Sequence, residues 1–342
     1  MPSVSLKELG TGGTAPGRFI SALPGTARWS MRRRALGAQR TLVWIDRQGR
    51  EEPTNAPLDG YLYPRLSPDG TRVALQVIGV QNWDIWIWDL ARQTKTRFTF
   101  DAPPDQYPVW TPDGRRLVWG SPRMGPSNLY WQAADGTGAV ERLTESPNDH
   151  SAYGFSRDGR QLLLREEGTD IRETLTLLTL DGDRRMTSLI RTTFNQRNGE
   201  ISPDGRWLVY ESDESGREEI YVRPFPEVDR GRWQVSTGGG LRPLWARNGR
   251  ELFYQAPDGA LLGVPVAVEG GGSFRAGPPT KLVAGRYYMG EIYTSGRTYD
   301  VSADGRRFLM IKDAPAGEAG PPPQLVVVLH WFEELKRLVP RR

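Results

Sequence analysis

One short stretch is written into this chain again and again: a small polar residue, Pro-Asp-Gly or a close variant, then an apolar strand. Ser202-Pro203-Asp204-Gly205-Arg206 leads into Trp207-Leu208-Val209-Tyr210. Copies stand at Ser67-Pro68-Asp69-Gly70, Thr111-Pro112-Asp113-Gly114, Ser156-Arg157-Asp158-Gly159, Ala246-Arg247-Asn248-Gly249 and Ser302-Ala303-Asp304-Gly305. They begin at 67, 111, 156, 202, 246 and 302, at intervals of 44, 45, 46, 44 and 56 residues. A period of this length marks a propeller or a solenoid.

Each copy has a physical reason. Proline presets φ at the first turn position, aspartate hydrogen-bonds the backbone two residues on, and glycine supplies the positive φ that closes a hairpin. An apolar or aromatic strand precedes each turn, as in Tyr107-Pro108-Val109-Trp110, and another follows, as in Arg116-Leu117-Val118-Trp119. Runs such as Asp84-Ile85-Trp86-Ile87-Trp88 and Thr96-Arg97-Phe98-Thr99 supply two more strands per repeat. Four short antiparallel strands every ~45 residues make one blade of an all-β propeller, whose blades bury both faces against their neighbours.

Counting back one period from Ser67 reaches Ser21, within Phe19–Trp29, which reads as a worn copy with Pro24-Gly25 retained and the aspartate lost. Thr41–Asp46 and Arg50–Thr54 then supply its third and fourth strands, giving seven blades with the first degenerate. The last blade takes Tyr299–Val301, Arg307–Ile311 and Leu325–Leu329, and Val4–Leu9 fills its empty fourth place, joining the two chain ends. Without a turn at Ser21 the ring has six blades. The whole of 1–342 is expected to be one domain: a closing strand and linker over 1–18, blades over 19–324, and over 325–342 a last strand with a short amphipathic helix at Trp331–Leu338.

Lys and Arg number 45 against 41 Asp and Glu, for a net charge of +4, and the two signs are interspersed. That pattern argues against a nucleic-acid face. The absence of cysteine excludes disulfides, thiolate metal sites and cysteine nucleophiles. Met1–Lys7 has neither a basic start nor a long apolar core, so a signal peptide is not visible and a cytoplasmic monomer is expected, unless the gene starts further upstream. No run is long enough to insert into a membrane.

The aspartates at 69, 113, 158, 204 and 304 sit in turns on separate blades, so they read as turn residues, not calcium ligands. No Gly-x-Ser-x-Gly elbow occurs, and His330, at the end of a strand, reads as a packed residue. His150 differs, because Ser146–Ser151 connects an outer strand to the next inner strand. By alternation such connections emerge on the face opposite the Pro-Asp-Gly turns, where Asp101–Gln106, Thr193–Asn198 and Gly238–Arg242 join them around the mouth of the central channel. The ligand-binding positions expected there are Asp105, Gln106, Tyr107, Asp149, His150, Tyr153, Asn195, Arg197, Asn198, Arg242 and Tyr293. Trp86, Trp88, Trp110, Trp119, Trp131 and Trp245 fall in repeat strands and are assigned to packing between blades. For exposed rings the better candidates are Tyr61, Tyr63, Tyr107, Tyr153 and Tyr293.

Several motifs in one order resemble the TolB-type and WD-like propellers. They are most similar to the C-terminal propeller regions of bacterial eukaryotic-like serine/threonine kinases. They are Leu42–Pro53, Glu219–Pro226, Ser236–Gly240, Gly249–Tyr254 and Trp331–Pro340, so the resemblance covers 41–342. Two departures stand out: His330 replaces the asparagine usual before the Trp-Phe pair, and the kinase domain that commonly precedes the propeller is absent. Glu8–Gly13 is glycine-rich, but no Val-Ala-Ile-Lys, His-Arg-Asp or Asp-Phe-Gly segment follows, so the chain is not itself a kinase.

The reading that follows is a non-catalytic module without cofactor or metal that binds a protein, a peptide or a small ligand. The resemblance implies a sensor or scaffold role in kinase signalling. Two alternatives stand beside it. One is a propeller hydrolase or lactonase with calcium held by Asp105, Asp149 and Asn195 or Asn198; the other is a TolB-like exported scaffold.

Overall fold

The repeat becomes six antiparallel four-stranded units in a computed structural model that describes residues 29–31, 39–79, 82–169, 172–269, 273–290, 296–315 and 326–328. Blade 1 runs from its inner to its outer strand as Tyr61–Leu66, Arg72–Ile78, Trp83–Asp89 and Thr94–Arg97. Blade 2 is Gln106–Trp110, Arg116–Ser121, Asn128–Ala133 and Glu141–Arg142, and blade 3 is Asp149–Phe155, Gln161–Glu167, Thr174–Thr179 and Met186–Ser188. Blade 4 is Gln196–Ile201, Trp207–Ser212, Glu219–Pro224 and Trp233–Gln234. Blade 5 is Leu241–Trp245, Glu251–Gln255, Leu261–Glu269 and Ser273–Ala276, with Thr280–Val283 as an extra strand on Leu261–Glu269.

Blade 6 closes the ring. Its first two strands are Tyr299–Val301 and Arg307–Asp313, and its last two are Arg40–Asp46 and Glu51–Pro53. Val43 pairs with Met310 and Ile45 with Phe308. The blade count is therefore six, the alternative to seven. The segment read as third and fourth strands does hold those two places, but in the last blade and not in a degenerate first one. Val326–Val328, expected as the third strand there, instead pairs antiparallel with Trp29–Met31 in a separate small unit within 1–35 and 321–342. The closing strand at 4–9, the worn copy at 19–28, the helix at 331–338, Tyr293 and His330 lie outside the described residues.

Strand alternation explains why the repeat strands are apolar on both faces. In blade 1, Val73, Leu75 and Val77 pack with Leu42, Leu309 and Ile311 of blade 6, while Ala74 between them packs with Trp110, Leu117 and Trp119 of blade 2. The same switch repeats at every interface: Val118 toward blade 3, Leu163 toward blade 4, Val209 toward blade 5, Phe253 toward blade 6. Six hydrophobic cores, one between each neighbouring pair, run once around the ring. Of the six tryptophans assigned to packing, Trp88, Trp110, Trp119 and Trp245 are buried and Trp86 and Trp131 partly so. Tyr61, Tyr63 and Tyr153, proposed as exposed rings, are buried in or beside these cores instead.

The turns behave as their chemistry requires. The six glycines at 70, 114, 159, 205, 249 and 305 have φ between 67° and 72°. Asp113 Oδ1 accepts from the Thr111 hydroxyl at 2.6 Å and the Arg115 amide at 3.0 Å, and Asp158, Asp204 and Asp304 do the same with their own neighbours. Side-chain hydrogen bonds from Ser67, Thr111, Ser156 and Ser302 hold Asp69, Asp113, Asp158 and Asp304 below the ordinary aspartate pKa. Asp204 is lowered as well, its hydrogen bonds from Ser202 and Arg206 outweighing burial.

Candidate binding site

The loops opposite the turns carry the positions expected to bind a ligand, and most of those side chains are committed to bonds within or between the blades. Asp105 is fully buried; its Oδ1 accepts from Trp119 Nε1 at 3.1 Å and Arg123 Nη2 at 3.0 Å, and burial raises its pKa. His150, also fully buried, has Nδ1 2.9 Å from the Thr144 hydroxyl and Nε2 3.7 Å from Glu166. Burial lowers its pKa, so the ring is neutral at pH 7. Asp149 accepts the Ser127 amide at 2.6 Å, and Asn195 pairs with Asp213 at 2.6 and 2.9 Å. Arg197 bridges Glu173 and Glu218, while Gln106 is half-buried at the start of its strand.

Two consequences follow for chemistry on this face. Asp105, Asp149, Asn195 and Asn198 each serve a different local network, so they do not converge as a calcium site would require. Among the described residues no group of three or more His, Asp or Glu is placed to hold a metal ion. Asn195, Arg197, Gly239 and Gly240 do come together, with Asp213 and Glu218, around a cavity of about 410 Å³ between blades 4 and 5.

Tyr107, Asn198 and Arg242 meet at a place the sequence did not disclose. The inner strands of blades 1 to 5 each carry a register shift, and in four of them the extra residue has positive φ: Tyr63 (48°), Tyr107 (55°), Asn198 (48°) and Arg242 (53°). Such bulges re-aim a side chain out of the ladder. All four re-aimed side chains meet Gly296. Its N–H donates to Asn198 Oδ1 at 2.7 Å, and its carbonyl accepts from Arg242 Nε at 3.1 Å. A Cβ there would lie 2.5 Å from the Tyr63 ring and 3.0 Å from that of Tyr107. One glycine of blade 6 is thus clamped by blades 1, 2, 4 and 5, and its backbone fills the ring axis at that level. Glu211 Oε2 accepts the Arg242 amide at 2.6 Å, and burial pushes the Glu211 carboxyl up to about 7. The only prior signal was the 56-residue interval.

The large concavity lies on the other face, among the turns. A cavity of about 990 Å³ opens there, walled by inner strands and by the turns at Pro68, Pro112, Pro203 and Asn248. Of the expected ligand-binding residues only Tyr153 lines it. Its floor holds Arg65, Glu200, Arg297 and Asp300, from blades 1, 4 and 6, and its exposed rim holds Arg157, Arg247 and Arg250. Glu200 accepts the Trp245 amide at 2.8 Å, and Asp300 accepts the Leu66 amide at 2.8 Å. Sequence reasoning passed over these residues because Arg65 and Asp300 read as ordinary strand positions.

Six radially arranged four-stranded blades with a concavity at one end of the axis define a six-bladed β-propeller. Residues 45–221, a little over half of the chain, match the family described as the TolB beta propeller domain, and the chain belongs to that family. Among solved structures it is similar to that of a putative TolB from Agrobacterium tumefaciens, with 16% identity, a TM-score of 0.61, and 82% of this chain and 100% of that one covered. TolB from Acinetobacter baumannii is similar at 17% identity and a TM-score of 0.54, over 72% of this chain and 65% of that one. A curated relative, the uncharacterized peptidase YuxL of Bacillus subtilis, is 27% identical over 46% of this chain and 31% of its own length. The chain spans less than a third of the length of the curated relatives it matches.

Proposed function

We propose that this protein is a non-catalytic binding propeller, a scaffold that receives its partner, a protein or peptide, at the cavity among the Pro-Asp-Gly turns. The observation that carries this reading is the cavity: about 990 Å³, framed by turns from five blades, with its charged floor fixed by backbone hydrogen bonds. Concave sites with a few fixed polar groups are where proteins bind ligands. The opposite end of the axis, by contrast, is engaged by the clamp on Gly296.

The six blades, strands and connecting turns together, take up nearly all of the described chain, and the buried acids and His150 are hydrogen-bonded to the protein's own groups within and between neighbouring blades. That supports binding over catalysis. A role in serine/threonine kinase signalling rests on the sequence resemblance alone, and an exported TolB-like role rests on the family. The word peptidase belongs to the relative, of which this chain matches 31%.

The test is affinity capture from a native lysate with the intact chain and with a variant carrying Arg157→Glu, Arg247→Glu and Arg250→Glu. These three residues are exposed, so both proteins are expected to melt alike. Partners captured by the intact chain and lost from the variant support the turn-side site. Identical partner lists from both proteins would reject it.

A further inference from the structure

Deepening that reading, we infer that the turn-side cavity is a carboxylate receptor, with Arg65 and Arg297 on its floor as the paired cations that grip the anion. The argument begins with Arg65, which is 7% exposed. Its Nη1 donates to the carbonyls of Pro64 at 2.9 Å and Arg297 at 3.2 Å, and its Nε has no hydrogen-bond partner. Among the described residues no carboxylate lies within ion-pair distance of it.

Arg297, 7% exposed, is little better served: its nearest acid is Glu200 at 3.6 Å, and its Nε also lacks a partner. Two guanidiniums are therefore buried side by side at the bottom of a cavity. The acids beside them also accept backbone amides, Glu200 that of Trp245 and Asp300 those of Leu66 and Val301. Burial and the neighbouring Arg297 push the Arg65 pKa down to about 9, and the pull of Asp300 and Glu200 does not offset them.

A buried arginine whose only duty is to tie two strands together needs hydrogen bonds, and the two carbonyls provide them. They do not provide charge. A buried cation with no carboxylate in contact is costly, and apolar residues of similar volume commonly replace buried ionic groups without loss of stability. The cavity wall extends the same bias, with six arginines against three acids and no lysine. Guanidinium presents a planar fork that matches a carboxylate, which selects this anion over chloride. The carboxylate can belong to a peptide, as its C-terminus, or to a free small acid; the chemistry at the floor is the same.

The experiment uses the full chain and three probes at matched ionic strength: succinate, acetyl-Ala-Leu-Ala with a free C-terminal carboxylate, and the same tripeptide as its amide. Binding is read by calorimetry and by the shift in melting temperature. Succinate, the free-acid tripeptide or both are expected to bind and to raise the melting temperature, while the amide does neither. The responding probe identifies the source. In Arg65→Met and Arg297→Met that binding is expected to weaken by at least about tenfold, while the ligand-free melting temperature of Arg65→Met stays level or rises. Should a methionine variant fold poorly, Glu200→Gln provides an independent arm: it removes the acid that competes for Arg297 and keeps an acceptor for the Trp245 amide. It is expected to bind the carboxylate several-fold more tightly.

Equal binding by wild type and Arg65→Met, equal binding of acid and amide, or no response to either carboxylate would each overturn the inference. Partner capture that depends on the rim arginines yet is unchanged in Arg65→Met would leave the binding-propeller reading standing and remove only the carboxylate.

Discussion

Asp113 shows what a single residue contributes here. Its Oδ1 satisfies a hydroxyl and a backbone amide at once, so Asp113→Ala strands both donors at the turn and is expected to cost about 1 kcal/mol. Urea denaturation monitored by tryptophan fluorescence would measure it. The same bonds set a pH dependence. Asp69, Asp113, Asp158, Asp204 and Asp304 all have folded pKa values depressed below 3.8, so the folded state binds their protons less readily than the unfolded chain does. Their contribution is complete above that value and is lost as pH falls through the depressed ones. The urea midpoint is expected to decline below about pH 4, and less steeply in a chain with all five replaced by asparagine. An equal slope in the two chains would show that other groups drive acid unfolding.

At the scale of elements, the inner strands matter most, because their bulges turn side chains from four blades onto one backbone position. Gly296 has φ 99° and no room for a Cβ, so Gly296→Ala combines backbone strain with a clash against Tyr63 and is expected to cost about 2–4 kcal/mol. A chemical-denaturation curve checks this, and a loss under about 0.5 kcal/mol would mean that the clamp yields easily. A second joint lies between blades 3 and 4, where buried Glu173 binds both Arg165 and Arg197. Glu173→Gln leaves Arg197 with Glu218 and Arg165 with Glu167, so the expected loss is about 3 kcal/mol, the lower end for breaking a buried pair.

For the molecule as a whole, closure is the decisive event. Arg40–Asp46 places Leu42 in the core shared with blade 1, and Val43 and Ile45 in the core shared with blade 5. Without it, Phe308, Leu309, Met310 and Ile311, all fully buried, would stand on an open sheet edge. A chain lacking residues 1–53 is therefore expected to aggregate or to unfold without a cooperative transition. A chain of residues 36–320, which keeps every strand of the ring, is expected to melt in a single transition by calorimetry. Cooperative melting of the 54–342 chain would show that the ring tolerates an open blade.

The residues alone determined the repeat, its turn chemistry and its four-stranded unit, because a hairpin turn and a strand's alternation are local matters. Ser-Pro-Asp-Gly dictates its own geometry wherever it sits. They also marked Thr41–Asp46 as a third strand, but not the blade it would join, since that pairing spans more than 260 residues and depends on which edge is left unfilled when the ring closes. The site was less legible for the same reason. Asp105, His150 and Arg197 look like loop polar residues in sequence, yet burial and partners from adjoining strands turn them into structural ties. Arg65 and Arg297 look like strand residues, yet the ring brings them together from blades 1 and 6 at the floor of a cavity. Local sequence decides what each segment becomes, whereas the meeting of distant segments on one axis is decided only when six blades pack.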